Sequence, residues 1–168
     1  MKKQFTIFLF LALFLSCFSQ ADAQTYKSAI GVRAGYPWAA SFKTFISDKS
    51  AIELYAAARG YGFAGYRYGW ISINGAYLVH FPIEGVENLQ WYAGAGAGLQ
   101  FWHFDNNFPD PGSNQSVSIQ GYIGLDYKFE EVPINITLDW VPNIFLNGYS
   151  SGFYARYANL GVRYVLSE

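Results

Sequence analysis

The chain has 168 residues, is 20% aromatic and only 14% charged, and sets 11 Lys/Arg against 12 Asp/Glu. That length fits one domain, and a near-neutral balance without a basic patch argues against a nucleic-acid partner. Its single cysteine, Cys17, lies in the N-terminal leader, so the rest of the chain holds no disulfide and no thiolate metal site.

The leader comes first. Met1, Lys2 and Lys3 precede an apolar run over 5–18 and then Ala21-Asp22-Ala23. A positive start, an apolar stretch and an A-x-A site read as a secretory signal peptide, with cleavage expected after Ala23. The run is shorter than the about 20 apolar residues that span a bilayer as a helix. A lipoprotein cut before Cys17 is the rival, since Phe14-Leu15-Ser16-Cys17 is similar to a lipobox. The expected organisation is therefore a signal peptide over 1–23 and one domain over 24–168.

Eight alternating segments follow, predicted as strands over 28–36, 41–46, 51–62, 66–81, 90–104, 116–129, 134–146 and 153–166. The clearest is the sixth. Val117, Ile119, Gly121, Ile123, Leu125, Tyr127 and Phe129 fall on one face; Ser118, Gln120, Tyr122, Gly124, Asp126 and Lys128 fall on the other. A period of two sends these sets to opposite sides of a sheet. An apolar face ending in aromatics, opposite a small and polar one, is the pattern of a strand with lipid outside and a polar lumen inside.

The other segments repeat that parity. Ile52, Leu54, Ala56 and Ala58 oppose Glu53, Tyr55 and Arg59. Ile71, Ile73, Tyr77, Val79 and Phe81 oppose Ser72, Asn74 and His80. Trp91, Ala93, Ala95, Ala97, Leu99 and Phe101 oppose Tyr92, Gln100, Trp102 and three glycines. Ile136, Leu138 and Trp140 oppose Asn135, Thr137 and Asp139; Leu160, Val162 and Tyr164 oppose Tyr157, Asn159 and Arg163. The segment 41–46 is too short for its facing to be assigned. Inward Gly94, Gly96 and Gly98 leave room for large residues such as Tyr55, Tyr122 and Tyr157 in a narrow interior.

Turns near Asp48, 84–87 and 130–131 are short or charged. They alternate with links at 37–40, 62–65, 105–115 and 147–152, which include the longest loop. Short turns at one end and longer loops at the other suit an outer-membrane barrel, with both termini and the short turns in the periplasm. The predicted fold is all-β: an eight-stranded antiparallel up-and-down transmembrane β-barrel.

The chain resembles the small outer-membrane β-barrel proteins of the OmpA/OmpX-like type, in the version common in Bacteroidetes. The resemblance covers about 28–166. It rests on AIGVRAGY (29–36), SDKSAIEL (47–54), WYAGAGAGL (91–99) and the terminal NLGVRYVL (159–166). The last strand resembles the C-terminal signal read by the barrel-insertion machinery, although Val165, Leu166, Ser167 and Glu168 stand where an aromatic end is usual. The resemblance implies an outer-membrane barrel but no particular role, because fold does not fix function.

Candidate sites fall into two groups. Arg33, Glu53, Arg59, Asp126, Asp139 and Arg163 share lumen parity. Buried charges must pair, so Arg33 and Arg163 are expected to bind Glu53, Asp126 and Asp139 as a plug. Arg67, Trp102, Phe108 and Arg156 lie near the loop-bearing rim and are candidates for surface contact, the arginines with lipopolysaccharide phosphates. His80 and His103 are the only histidines, and no serine lies within two positions of His103; a triad would need Ser72, Ser116 or Ser118 brought in by folding. Two scattered histidines make no metal site. The expected protein is a non-catalytic monomer with a structural or surface-binding role, without a cofactor, in contact with outer-membrane lipids, lipopolysaccharide and the insertion machinery. The alternatives are a narrow pore, a lipid-modifying enzyme of the outer membrane, or a soluble lipocalin-like carrier.

Overall fold

The structure, a computed structural model, describes residues 26–63, 66–104, 113–148 and 150–167. The expected leader over 1–23, Phe108 and the side chain of Arg67 lie outside the described residues. Ten strands are present: β1 (Ser28–Gly35), β2 (Trp38–Phe45), β3 (Ser50–Phe63), β4 (Tyr66–Pro82), β5 (Leu89–Phe104), β6 (Gln115–Lys128), β7 (Ile134–Trp140), β8 (Asn143–Phe145), β9 (Gly152–Tyr154) and β10 (Ala158–Ser167). Each pairs antiparallel with its neighbour, and β1 pairs with β10 from Ser28↔Ser167 to Gly35↔Asn159, which closes the cylinder.

The ten strands make eight staves. β7 and β8 are one stave broken at Val141-Pro142, because proline has no N–H to give the ladder. The register to β6 runs on unchanged through the break, with Ile123↔Trp140 on one side and Gln120↔Asn143 on the other. Gly121 N–H donates to the Pro142 carbonyl at 2.9 Å. β9 and β10 form the last stave. Across the same wall Asn143 pairs with Tyr154 and Trp140 with Ala158, so this stave carries one extra residue, a bulge.

The observed architecture is thus the closed all-β barrel of eight antiparallel staves that the alternation predicts. One boundary differs by more than a residue. β2 starts at Trp38, three residues before the expected 41, and the link over 37–40 contracts to Tyr36-Pro37. The longer β2 settles its facing: Ala39, Ser41, Lys43 and Phe45 point inward.

Parity runs true along the described staves. Leu54, Ile73 and Ile119 are at least half exposed, whereas Glu53, Asn74 and Gln120 are buried. The outer wall is apolar and the interior polar, the inverse of a soluble barrel, and an apolar surface of this extent marks contact with something other than water. Inward glycines make room for the filling. A Cβ at Gly96 would sit 3.0 Å from the Tyr122 ring, and one at Gly98 would sit 2.3 Å from Asn74 Oδ1. The wall is uneven in height: β3 to β6 run 14–17 residues, β1 and β2 only 8.

Candidate functional site

The interior is layered. At the end carrying the Ser47, Glu84 and Glu130 turns, Asp126 is enclosed by four partners. Lys43 Nζ donates to its Oδ2 at 2.5 Å, Tyr26 Oη to the same oxygen at 3.1 Å, and Asn135 Nδ2 to Oδ1 at 2.5 Å. His80 Nε2 lies 3.5 Å from Oδ2 and 2.8 Å from Lys43 Nζ. The lysine also rests over the Tyr92 ring, 4.8 Å from its centroid.

The next layer holds two arginines and two carboxylates, all buried. Arg33 Nη1 donates to Glu53 Oε1 at 2.8 Å, and its Nη2 reaches both Asp139 oxygens at 2.8 Å. Arg163 Nη2 donates to the same Glu53 oxygen at 2.5 Å, its Nε to Ser41 at 2.9 Å and its Nη1 to Thr137 at 2.8 Å. Tyr92 Oη completes Asp139 at 2.7 Å. Charge balances within each layer: one lysine with one aspartate, then two arginines with two carboxylates. That balance, together with the hydrogen bonds, is what permits buried ions at all. Guanidinium suits the task because its fixed fork reaches several acceptors in different directions.

Above the ions lies a neutral network. Tyr55 Oη meets Tyr122 Oη at 2.8 Å and donates to Gln120 Oε1 at 3.0 Å; the Tyr122 hydroxyl also donates to that amide. Gln120 Nε2 donates to Asn74 at 2.8 Å, and Asn74 Nδ2 to Ser72 at 2.9 Å. Beyond it a cavity of about 20 Å³ opens among Asn74, Gln100, Asn143, Trp70, Phe145 and Tyr157. A volume of that order admits about one water and no larger ligand.

Of the expected lumen residues, Arg33, Glu53, Asp139 and Arg163 meet in one cluster. Asp126 is also in the lumen, but its cation is Lys43 and neither arginine. Arg59 departs from the expected charge network. Its guanidinium sits at the loop-bearing end, 3.9 Å from the Tyr36 ring centroid and 5.2 Å from that of Tyr61. It faces inward as its parity requires, but it lies too far along β3 to reach the ion layers. Lys43 is the functional side chain that sequence reasoning missed. Its signal was the alternation Ala39, Ser41, Lys43, Phe45, hidden by placing the second strand's start three residues late.

At the rim, Arg156 is exposed and lies over Tyr36 at 5.0 Å and over Tyr154 at 5.2 Å. The hydroxyls of Tyr36 and Tyr61 are hydrogen-bonded to each other. Trp102, half-buried, points its Nε1 to Ser116 at 3.3 Å and packs against buried Trp70, which ties its indole to the interior. Ser72 and Ser118 accept from Asn74 and Gln120, and Ser116 from Trp102. His103 is exposed on the outer wall, while His80 lies among the ions at the opposite end.

No protein-family model matches the chain, and no curated protein matches it. Two solved structures do. The crystal structure of Neisserial surface protein A (NspA) aligns with a TM-score of 0.61 at 13% identity, covering 83% of this chain and 93% of that one. The N-terminal β-barrel domain of Pseudomonas aeruginosa OprF aligns with a TM-score of 0.55 at 22% identity, covering 84% and 98%. The likeness extends over nearly the whole of both barrels and shows a shared fold.

Proposed function

We propose that this chain is an integral outer-membrane protein of a Gram-negative bacterium, delivered by its leader and inserted by the barrel-assembly machinery. Its role in this reading is structural or surface-binding, without catalysis. The finer affiliation, to OmpA/OmpX-like barrels as found in Bacteroidetes, rests on the four segments quoted above. The observation that carries the proposal is the pairing of an apolar outer wall with a lumen filled by paired ions. Lipid is the solvent such a wall needs, and two consecutive layers of buried salt bridges leave no continuous water path. A soluble carrier needs the opposite arrangement, with polar residues outside and an apolar interior. One structural relative, NspA, is named a surface protein, which agrees with this reading.

In the proposed orientation the short turns and both termini face the periplasm, and the loops and the Arg59–Tyr36–Arg156 rim face outward. The test is fractionation. The protein is expected in the detergent-extracted membrane fraction and to migrate differently in gels before and after boiling. Recovery in buffer without detergent, with no heat-dependent shift, contradicts the proposal.

A further inference from the structure

The barrel wall has a notch. β2 pairs with β3 only as far as Trp38↔Ala58, whereas β3 and β4 remain paired up to Phe63↔Tyr66. Among the described residues, 59–63 of β3 therefore have no partner on that edge, over roughly 15 Å at strand rise. On the far side, among the described residues, β9 pairs with β8 alone, so its outer edge has no partner there either. Between the two edges the wall drops to the Tyr36-Pro37 link. A Cβ placed at Gly60 on one edge, or at Gly152 on the other, meets no atom within 4 Å.

Chemistry gathers in this gap. Arg59 from one edge and Arg156 from the other stack on the same Tyr36 ring, at 3.9 and 5.0 Å. Neither is ion-paired to a carboxylate among the described residues. Arg59 Nε is buried and has no hydrogen-bond acceptor there. Two cations held by aromatic faces, beside a buried donor that no described acceptor satisfies, have the chemistry to hold an anion. The gap opens sideways through the wall at its apolar face. Trp38 lies below it and Phe153 beside it, each 64% exposed.

We propose that the notch seats the phosphate group of a lipid from the surrounding leaflet. The guanidiniums of Arg59 and Arg156 clasp the phosphate, and the acyl chains lie down the outer wall along Trp38 and Phe153. The inference rests on the membrane reading above. Free phosphate shares the head-group chemistry, but it would leave the sideways opening and its apolar flanks without purpose.

Native mass spectrometry of the detergent-purified full chain tests this, with phosphatidic acid compared against diacylglycerol of the same chains. The wild type should prefer the phosphate-bearing lipid by about tenfold or more, the scale of a charge-assisted contact. The Arg59→Gln/Arg156→Gln pair should lose that preference. Arg156→Gln alone, a change at an exposed side chain, should lower it, and Lys27→Gln, at the opposite end, should leave it intact. Equal retention of both lipids by the wild type, or an undiminished preference in Arg156→Gln, overturns the proposal. Full displacement of the lipid by inorganic phosphate at equal concentration overturns it too, in favour of a free-phosphate site. Heat-dependent gel migration, recorded on each sample, reports separately on the membrane reading: if the wild type lacks the shift, that reading has failed and the lipid proposal falls with it, whereas a normal shift with no phosphate preference overturns the notch proposal alone.

Discussion

Arg33 and Arg163, on adjacent strands, converge on one oxygen of Glu53 from 2.8 and 2.5 Å. A single carboxylate thus holds two guanidiniums together in the middle of the barrel. Glu53→Ala leaves both cations facing one another with only Asp139 to neutralise them. The expected loss is on the order of 3–5 kcal/mol, the cost of stranding a buried charge. Arg163→Ala should cost a similar amount by leaving Arg33 alone against two buried carboxylates, Glu53 and Asp139. Arg156→Ala at the rim should change stability little. Urea unfolding of the refolded protein in lipid measures all three; equal effects at Arg163 and Arg156 would contradict the buried network.

The facing of β6 yields a second prediction. Leu125 lies on the apolar outer wall. Leu125→Arg should cost about 2–4 kcal/mol if it falls near the bilayer midplane, while Leu125→Phe should be tolerated. On the inward face of the same strand the Gln120 amide is committed to Tyr55, Asn74 and Ser118. Yields of heat-modifiable protein compare the two Leu125 variants, and equal yields would refute the parity.

Much of this was legible in the chain. Strict alternation in β3 to β6 specified which residues face in, since a one-residue slip would turn every side chain over. Inward parity also marked Arg33, Glu53, Asp126, Asp139 and Arg163. What alternation lacks is height along the axis and angle around it. Hence Arg59 grouped with the ions in sequence but sits at the rim, and Asp126 was matched to arginines when Lys43 is its cation. The bulge before Ala158 was invisible for a related reason, because it shows itself only against the partner strand. The break in the seventh stave did have a signal, Pro142 inside the predicted 134–146 segment, which cannot donate to the ladder.

Glycine packing gives a third test. Gly98→Val would push its side chain into Asn74, Gln120 and Ser118, each within 3 Å of a Cβ there. Overpacking of this kind typically costs about 1–3 kcal/mol. Gly121→Ala, facing outward with only Pro142 Cγ at 3.4 Å, should be nearly neutral. Urea midpoints of the two variants should separate clearly; coincident midpoints would mean the lumen is looser than described.

Topology can be read on whole cells. An epitope inserted after Gly112 is expected to be labelled by antibody on intact cells, and one after Glu131 only after lysis, because loops reach the outside and short turns the periplasm. The reversed pattern would invert the barrel.

The central claim, that paired ions close the lumen of a membrane-embedded barrel, is tested most directly by electrical recording. Refolded, heat-modifiable protein in a planar bilayer should show no steady conductance above the bare membrane. A stable, reproducible open level carried by the wild-type protein would contradict the closed lumen and establish a pore.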